Sequence, residues 1–177
     1  RVDAGYTSTD YVTNIIKNKP ECRYLSITNG DKVYGSNVVH NVLHYPIRAD
    51  KGVPPDMLLA PLDSRNFAEH DYHKRQEKEL SDRCKGIHAM LEYNLLTYTT
   101  QPIPFLGRVD LAAVFLDRRK FAAENVLFGN FTNPKSYPCV GCQDGYLTQY
   151  LVRSRRWDYV RMPLDGLRSI VFHGPSP

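Results

Sequence analysis

The stretch SYPCVGCQDGYL sets Cys139 and Cys142 on either side of a Val-Gly pair, a gap at which one tight turn aims two sulfurs at a single ion, with Gly141 easing the turn. Cys84 and His88 stand four residues apart and, on a helix, share a face. The four together make a Cys3His set of the kind that holds structural zinc. Such an ion would tie helix to turn and make folding depend partly on metal. Plainer readings exist for the same residues. Cys84 lies in an apolar stripe, where cysteine behaves as a small hydrophobe, and two cysteines in a turn need bind nothing.

His40 and His44 in HNVLH are four apart, and His70 and His73 in HDYH are three apart. Either pair would face one ion on a helix, with Glu69, Asp71 or Glu77 available to the second. The second pair lacks the glutamate that an HExxH zinc protease uses as its base.

For hydrolysis of a phosphodiester, a divalent ion needs two or three carboxylates and a lysine around it to activate water and steady the leaving oxygen. Glu92, Asp110, Asp117 and Lys120 have that order and composition. Asp110 and Asp117 are seven apart, however, so on one strand they would point to opposite faces. Walker, GxGxxG and GxSxG signatures are absent.

The stretch YLVRSRRWDYVRM carries the clearest functional signal. On an unbent strand Arg153, Arg155, Trp157, Tyr159 and Arg161 share one face, so that arginines contact phosphates and an exposed Trp157 or Tyr159 stacks on an unpaired base. Arg118, Arg119 and Lys120 would widen the patch. The alternative is a bend at Ser154–Arg156 with Trp157 and Tyr159 in the core and the arginines merely wet.

Charge supports an anionic partner: residues 1–117 hold fourteen Lys/Arg against fifteen Asp/Glu, and residues 118–177 hold nine against four. With 42% apolar and 24% charged residues the composition is that of a globular protein, and no apolar run is long enough to span a membrane. Four cysteines in 177 residues are too sparse for a disulfide-dense secreted fold, which favours an intracellular, reducing compartment. Asn130–Thr132 would be a glycosylation acceptor in a secretory lumen.

The elements that must position these residues follow from pattern. TSTDYVTNIIKNKP predicts a short helix, with Tyr11, Ile15 and Ile16 to one side and Pro20 as its stop. Asn29-Gly30 predicts a hairpin. NVVHNVLHYP fits helix or strand, MLLAPL a short buried strand, and residues 46–56 a loop or lobe boundary. A long helix is expected over Asn66–Tyr98, its stripe formed by Leu80, Cys84, Ile87, Leu91, Leu95 and Tyr98. RVDLAAVFL reads as a strand and DRRKFAAENVLFG as a helix capped by Asp117, with one continuous helix as the rival. Strands close the chain at Tyr146–Val152, Trp157–Met162 and Ser169–His173.

The sum is a single α+β domain over residues 1–177, with one long helix on a mostly antiparallel sheet and a structural zinc site. Its expected function is binding of nucleic acid or another polyanion through the basic aromatic C-terminal surface. The alternatives are a divalent-metal nuclease or phosphodiesterase, and a protein-interaction module presenting Trp157.

Overall fold

The computed structural model describes residues 6–28, 32–45, 52–63, 93–94, 99–100, 104, 109–133, 135–137, 143–163 and 170–173. The expected first helix forms as α1 (Tyr6–Ile16), but a different side of it faces inward. Thr13 and Lys17 are buried, while Tyr11, Val12 and Ile15 are exposed. Polar anchoring decides this. Asp10 accepts the N–H groups of Phe128 and Gly129 at 2.7 and 2.8 Å, capping the 3-10 turn Phe128–Phe131. Lys17 Nζ donates to the Val126 carbonyl at 3.2 Å and lies over the Phe121 ring. Burial lowers the Lys17 pKa, and the Asp10 charge opposes that shift.

Asn29-Gly30 lies outside the described residues, but the strands on either side of it do not pair with each other as the hairpin reading expects. These strands, β1 (Tyr24–Leu25) and β2 (Lys32–Tyr34), belong to different sheets, paired with β7 (Val114–Asp117) and β9 (Val171–His173) respectively. An Asn-Gly pair favours a tight turn locally, but here the pairing partners come from distant parts of the chain. The ambiguous valine segment is a helix, α2 (Val38–Leu43), which buries Val38 and Val42.

MLLAPL divides into β3 (Met57–Leu59) and β4 (Leu62–Asp63). Ala60-Pro61 is where the chain passes from one sheet to the other, at a residue that cannot donate to a ladder. Ala60 N–H donates to the Ala113 carbonyl, and Pro61 accepts from Val171 N–H.

The remaining strands are β5 (Tyr93–Asn94), β6 (Thr99–Thr100), β7 (Val114–Asp117), β8 (Tyr159–Arg161) and β9 (Val171–His173). One sheet has the order β1-β7-β3-β8 and the other β2-β9-β4-β6-β5. The pairs β3–β8 and β4–β9 are parallel; the others are antiparallel. The fold is therefore α+β with mixed, mostly antiparallel sheets.

Most of the expected helix Asn66–Tyr98 lies outside the described residues, but Tyr93–Asn94 is strand, so a helix does not run unbroken to Tyr98. The aromatic and threonine content of EYNLLTYTT suits a strand, and pairing with Thr99–Thr100 decides it.

Residues 109–128 follow the strand-then-helix reading and not the single-helix rival, with shorter elements: the 3-10 turn Leu111–Ala113, strand β7 (Val114–Asp117) and helix α3 (Arg118–Glu124). Asp117 caps α3 as expected, accepting Lys120 N–H at 2.9 Å. The helix stops at Asn125, whose left-handed backbone (φ 50°) asparagine tolerates well.

The largest correction concerns Tyr146–Val152, which is not a strand but the middle of α4 (Gln143–Arg155). Tyr146, Leu147, Tyr150 and Leu151 recur at helical spacing. Leu147 and Leu151 are wholly buried with Met57, Leu59, Val114, Leu116, Phe121 and Trp157. Each such leucine contributes roughly 1.5–3 kcal/mol relative to an exposed one, enough to override the β-propensity of tyrosine, threonine and valine. A second cluster packs Val38, Val42, Leu58, Ala60, Leu62, Phe115, Met162 and Val171 on the other side of β3 and β7. Among the described residues no helix is long and apolar enough to cross a membrane.

Candidate anion-binding surface

Helix α4 carries Arg153 and Arg155 in its last turn, where the negative end of the helix favours cations. Arg156 follows in left-handed backbone (φ 57°) and ends the helix, and Trp157 N–H turns back to the Leu151 carbonyl at 3.1 Å. Three arginines thus occupy four consecutive positions, and all three are exposed.

Trp157 faces the other way. It is 2% exposed and meets Phe121 edge-to-face at 6.3 Å. Its indole N–H donates to Glu124 Oε1 at 2.9 Å, while Glu124 Oε2 holds Arg155 Nε at 3.1 Å. Arg155 also donates to the Tyr150 hydroxyl at 2.9 Å, with its guanidinium over that ring. Tyr159 is half-buried against the same core. The strand face on which Arg153, Arg155, Trp157, Tyr159 and Arg161 were expected to line up is therefore absent. Residues 143–155 are helical, and the stacking tryptophan is a core residue fixed by a carboxylate.

The basic residues of α3 are mostly committed to the fold. Arg118 is buried and donates to the Cys22 and Lys17 carbonyls at 2.7 and 2.6 Å. Lys120 Nζ lies 2.5 Å from Asp56 Oδ2 and 5.2 Å from the Trp157 ring centre. Asp56 and Asp158 each accept the other's backbone N–H, at 2.9 and 3.0 Å, which fastens β8 beside β3. Arg119 is exposed, and so is Arg161, on the edge strand β8.

The carboxylates considered for a nuclease are not gathered among the described residues. Asp110 caps the turn Leu111–Ala113 by accepting Ala112 N–H, whereas Asp117 caps α3 at the far end of β7. Lys120 is with Asp56, and Glu92 lies outside the described residues.

Asp110 instead faces Lys32 and Asp144, from two other elements. Lys32 Nζ is 3.6 Å from Asp110 Oδ2, on a side chain only 2% exposed. Asp144, in the first turn of α4, has its pKa raised to about 7, chiefly by burial, with the Asp110 charge adding to the rise. The Gly145 N–H, donating to Asp144 Oδ1 at 2.8 Å, works against it.

Cys84, His88, Cys139 and Cys142 all lie outside the described residues, as do His70 and His73. Among the described residues no three His, Cys, Asp or Glu side chains gather as a metal site.

The residues that sequence reasoning missed are Glu124, Asp56, Asp158 and Arg156. The first three left no local signal, since their partners are 31 to 102 positions away. Arg156 had one in the consecutive pair Arg155-Arg156, which on a strand would have pointed to opposite faces. No family model, curated protein or solved structure matches this chain.

Proposed function

We propose that this domain binds nucleic acid through phosphate contacts made by the arginine end of α4. The observation that carries the reading is the exposure of Arg153, Arg155 and Arg156 within four positions at the end of a helix whose opposite side is core; Arg155 engages Glu124 and Tyr150 through Nε, and its phosphate contact would be made by its terminal nitrogens. Guanidinium groups suit phosphate because their planar forks match its oxygens. The predominance of Lys/Arg over Asp/Glu in residues 118–177 supports the same sign of partner.

With Trp157 and Tyr159 packed inward, these two aromatics offer no platform for an unpaired base. The contacts are with the backbone of the nucleic acid, and the binding is insensitive to sequence.

Fluorescence anisotropy with labelled single-stranded and duplex oligonucleotides, over a salt series, tests this. Three phosphate contacts give a log–log salt slope of about −3 on duplex and about −2 on single strands. Replacing Arg153 and Arg156 by alanine should weaken binding to every sequence alike and flatten the duplex slope by about 2. Absence of affinity at low salt, or an unchanged slope in the double variant, refutes the proposal. Retention on a sulfated polysaccharide without affinity for DNA or RNA would overturn the assignment to nucleic acid.

A further inference from the structure

We infer that His40 and His44 form a two-point site for a divalent transition-metal ion of the imidazole-preferring class, copper, nickel or zinc. His40 is in α2, and His44 continues the helical ladder by donating its N–H to the His40 carbonyl at 2.9 Å. The two side chains therefore stand one turn apart on the same side. Both residues are exposed, while Val38 and Val42 hold the opposite side of α2 in the core.

The ring centres are 4.4 Å apart and the planes are tilted by 38°. A chelated ion would stand ~2.05 Å from each nitrogen, hence ~3.2 Å from each ring centre, and a nitrogen–metal–nitrogen angle between square-planar and tetrahedral would separate the centres by ~4.5–5.2 Å. The observed spacing is within a few tenths of an ångström of the lower value. Ion capture thus requires the two exposed rings to turn out of their tilted contact until one nitrogen of each meets the ion, with the ring centres already at a suitable separation.

Neighbouring groups define the kind of site. The carbonyl end of α2 favours a cation. Arg23 Nη1, 3.2 Å from the Leu43 carbonyl, brings a competing positive charge, which sets an upper bound on affinity. Two protein ligands leave the other coordination positions to water, so the site is open and exchangeable rather than a closed structural centre. Imidazole excludes magnesium and calcium, which want oxygen, and copper should bind most tightly.

The test is titration of copper or nickel salts, with magnesium as control, into the full chain purified without a metal-affinity tag. Calorimetry follows affinity, and electron paramagnetic resonance of the copper form reads coordinated nitrogen. His40→Ala and His44→Ala should each weaken one binding event by at least about tenfold, since even loss of an outer-shell partner costs that much. The double variant should lose that event and its nitrogen signature, with circular dichroism unchanged because neither ring is part of the core. A double variant that binds as many equivalents as tightly as the parent overturns the inference. So does a single variant with undiminished affinity.

Discussion

Glu124 offers a direct measurement of how far the C-terminal arginine end depends on the core. Its two carboxylate oxygens have separate partners, the Trp157 indole N–H at 2.9 Å and Arg155 Nε at 3.1 Å. Glu124→Ala strands the indole donor of a side chain that is 2% exposed, at a cost of about 1–3 kcal/mol. It also removes an ion pair whose arginine is 46% exposed, worth roughly 0.2–1 kcal/mol. The expected total is near 2 kcal/mol and no more than about 4.

Glu124→Gln keeps an oxygen for the indole and surrenders only the ion pair, so it should cost less than about 1 kcal/mol. Trp157 is the sole tryptophan of the chain, and urea unfolding followed by its fluorescence therefore reads this contact. The alanine variant should also shift the native emission to the red as water reaches the indole. Equal costs for alanine and glutamine, or an alanine variant as stable as the parent, would refute the claim that the carboxylate acts mainly through the buried donor.

Two further substitutions probe α4. Asp144 has a pKa of about 7 against 3.8 for the ordinary group, so the fold favours its protonated form. Its contribution is whole below about pH 3.8 and is lost as pH rises through about 7, at most about 4 kcal/mol across that window. Asp144→Asn keeps an oxygen for Gly145 N–H and should flatten the pH dependence of the urea midpoint; parallel curves for parent and variant would contradict this. Arg156→Gly relieves the left-handed backbone at φ 57° and should raise stability by roughly 0.5–1 kcal/mol after the added flexibility of the unfolded chain is counted. A lower midpoint would show that the arginine side chain contributes more than the strain costs.

Much of the local structure was legible because short-range chemistry controls it. Asp117 ahead of Arg118–Glu124 is a cap whose oxygen reaches a donor three residues on, and no distant partner is needed to make it one. The pairing of strands was not legible for the opposite reason. Asn29-Gly30 favours a hairpin, yet β1 and β2 find their partners in β7 and β9. In α4 the tyrosines, threonine and valine argued for a strand, and only the burial of Leu147 and Leu151 against Met57, Leu59 and Trp157 decides for helix. An excess of polar contacts is equally invisible from one segment: α1 turns Thr13 and Lys17 inward because Asp10 and Lys17 reach groups at residues 126–129.

Charge along the chain overstated the surface for a related reason: a fold consumes cations wherever it must satisfy buried carbonyls and carboxylates. Arg118 saturates the Cys22 and Lys17 carbonyls, and Lys120 answers Asp56, a residue from outside the basic segment. Had the six cations named as phosphate contacts (Arg118, Arg119, Lys120, Arg153, Arg155 and Arg161) all acted, duplex binding would show a salt slope of about −5. The three arginines at the end of α4 give about −3. Arg119 and Arg161 are exposed too and with the three arginines at the end of α4 account for about −4.5, so only a steeper slope would mean that Arg118 and Lys120 leave their partners on binding. Because Arg118 bridges the segment after α1 to the start of α3, such release would loosen that junction, and amide protons there would exchange faster in the complex than in the free domain. A slope near the smaller value with a stabilised complex is the outcome that a preformed arginine surface requires.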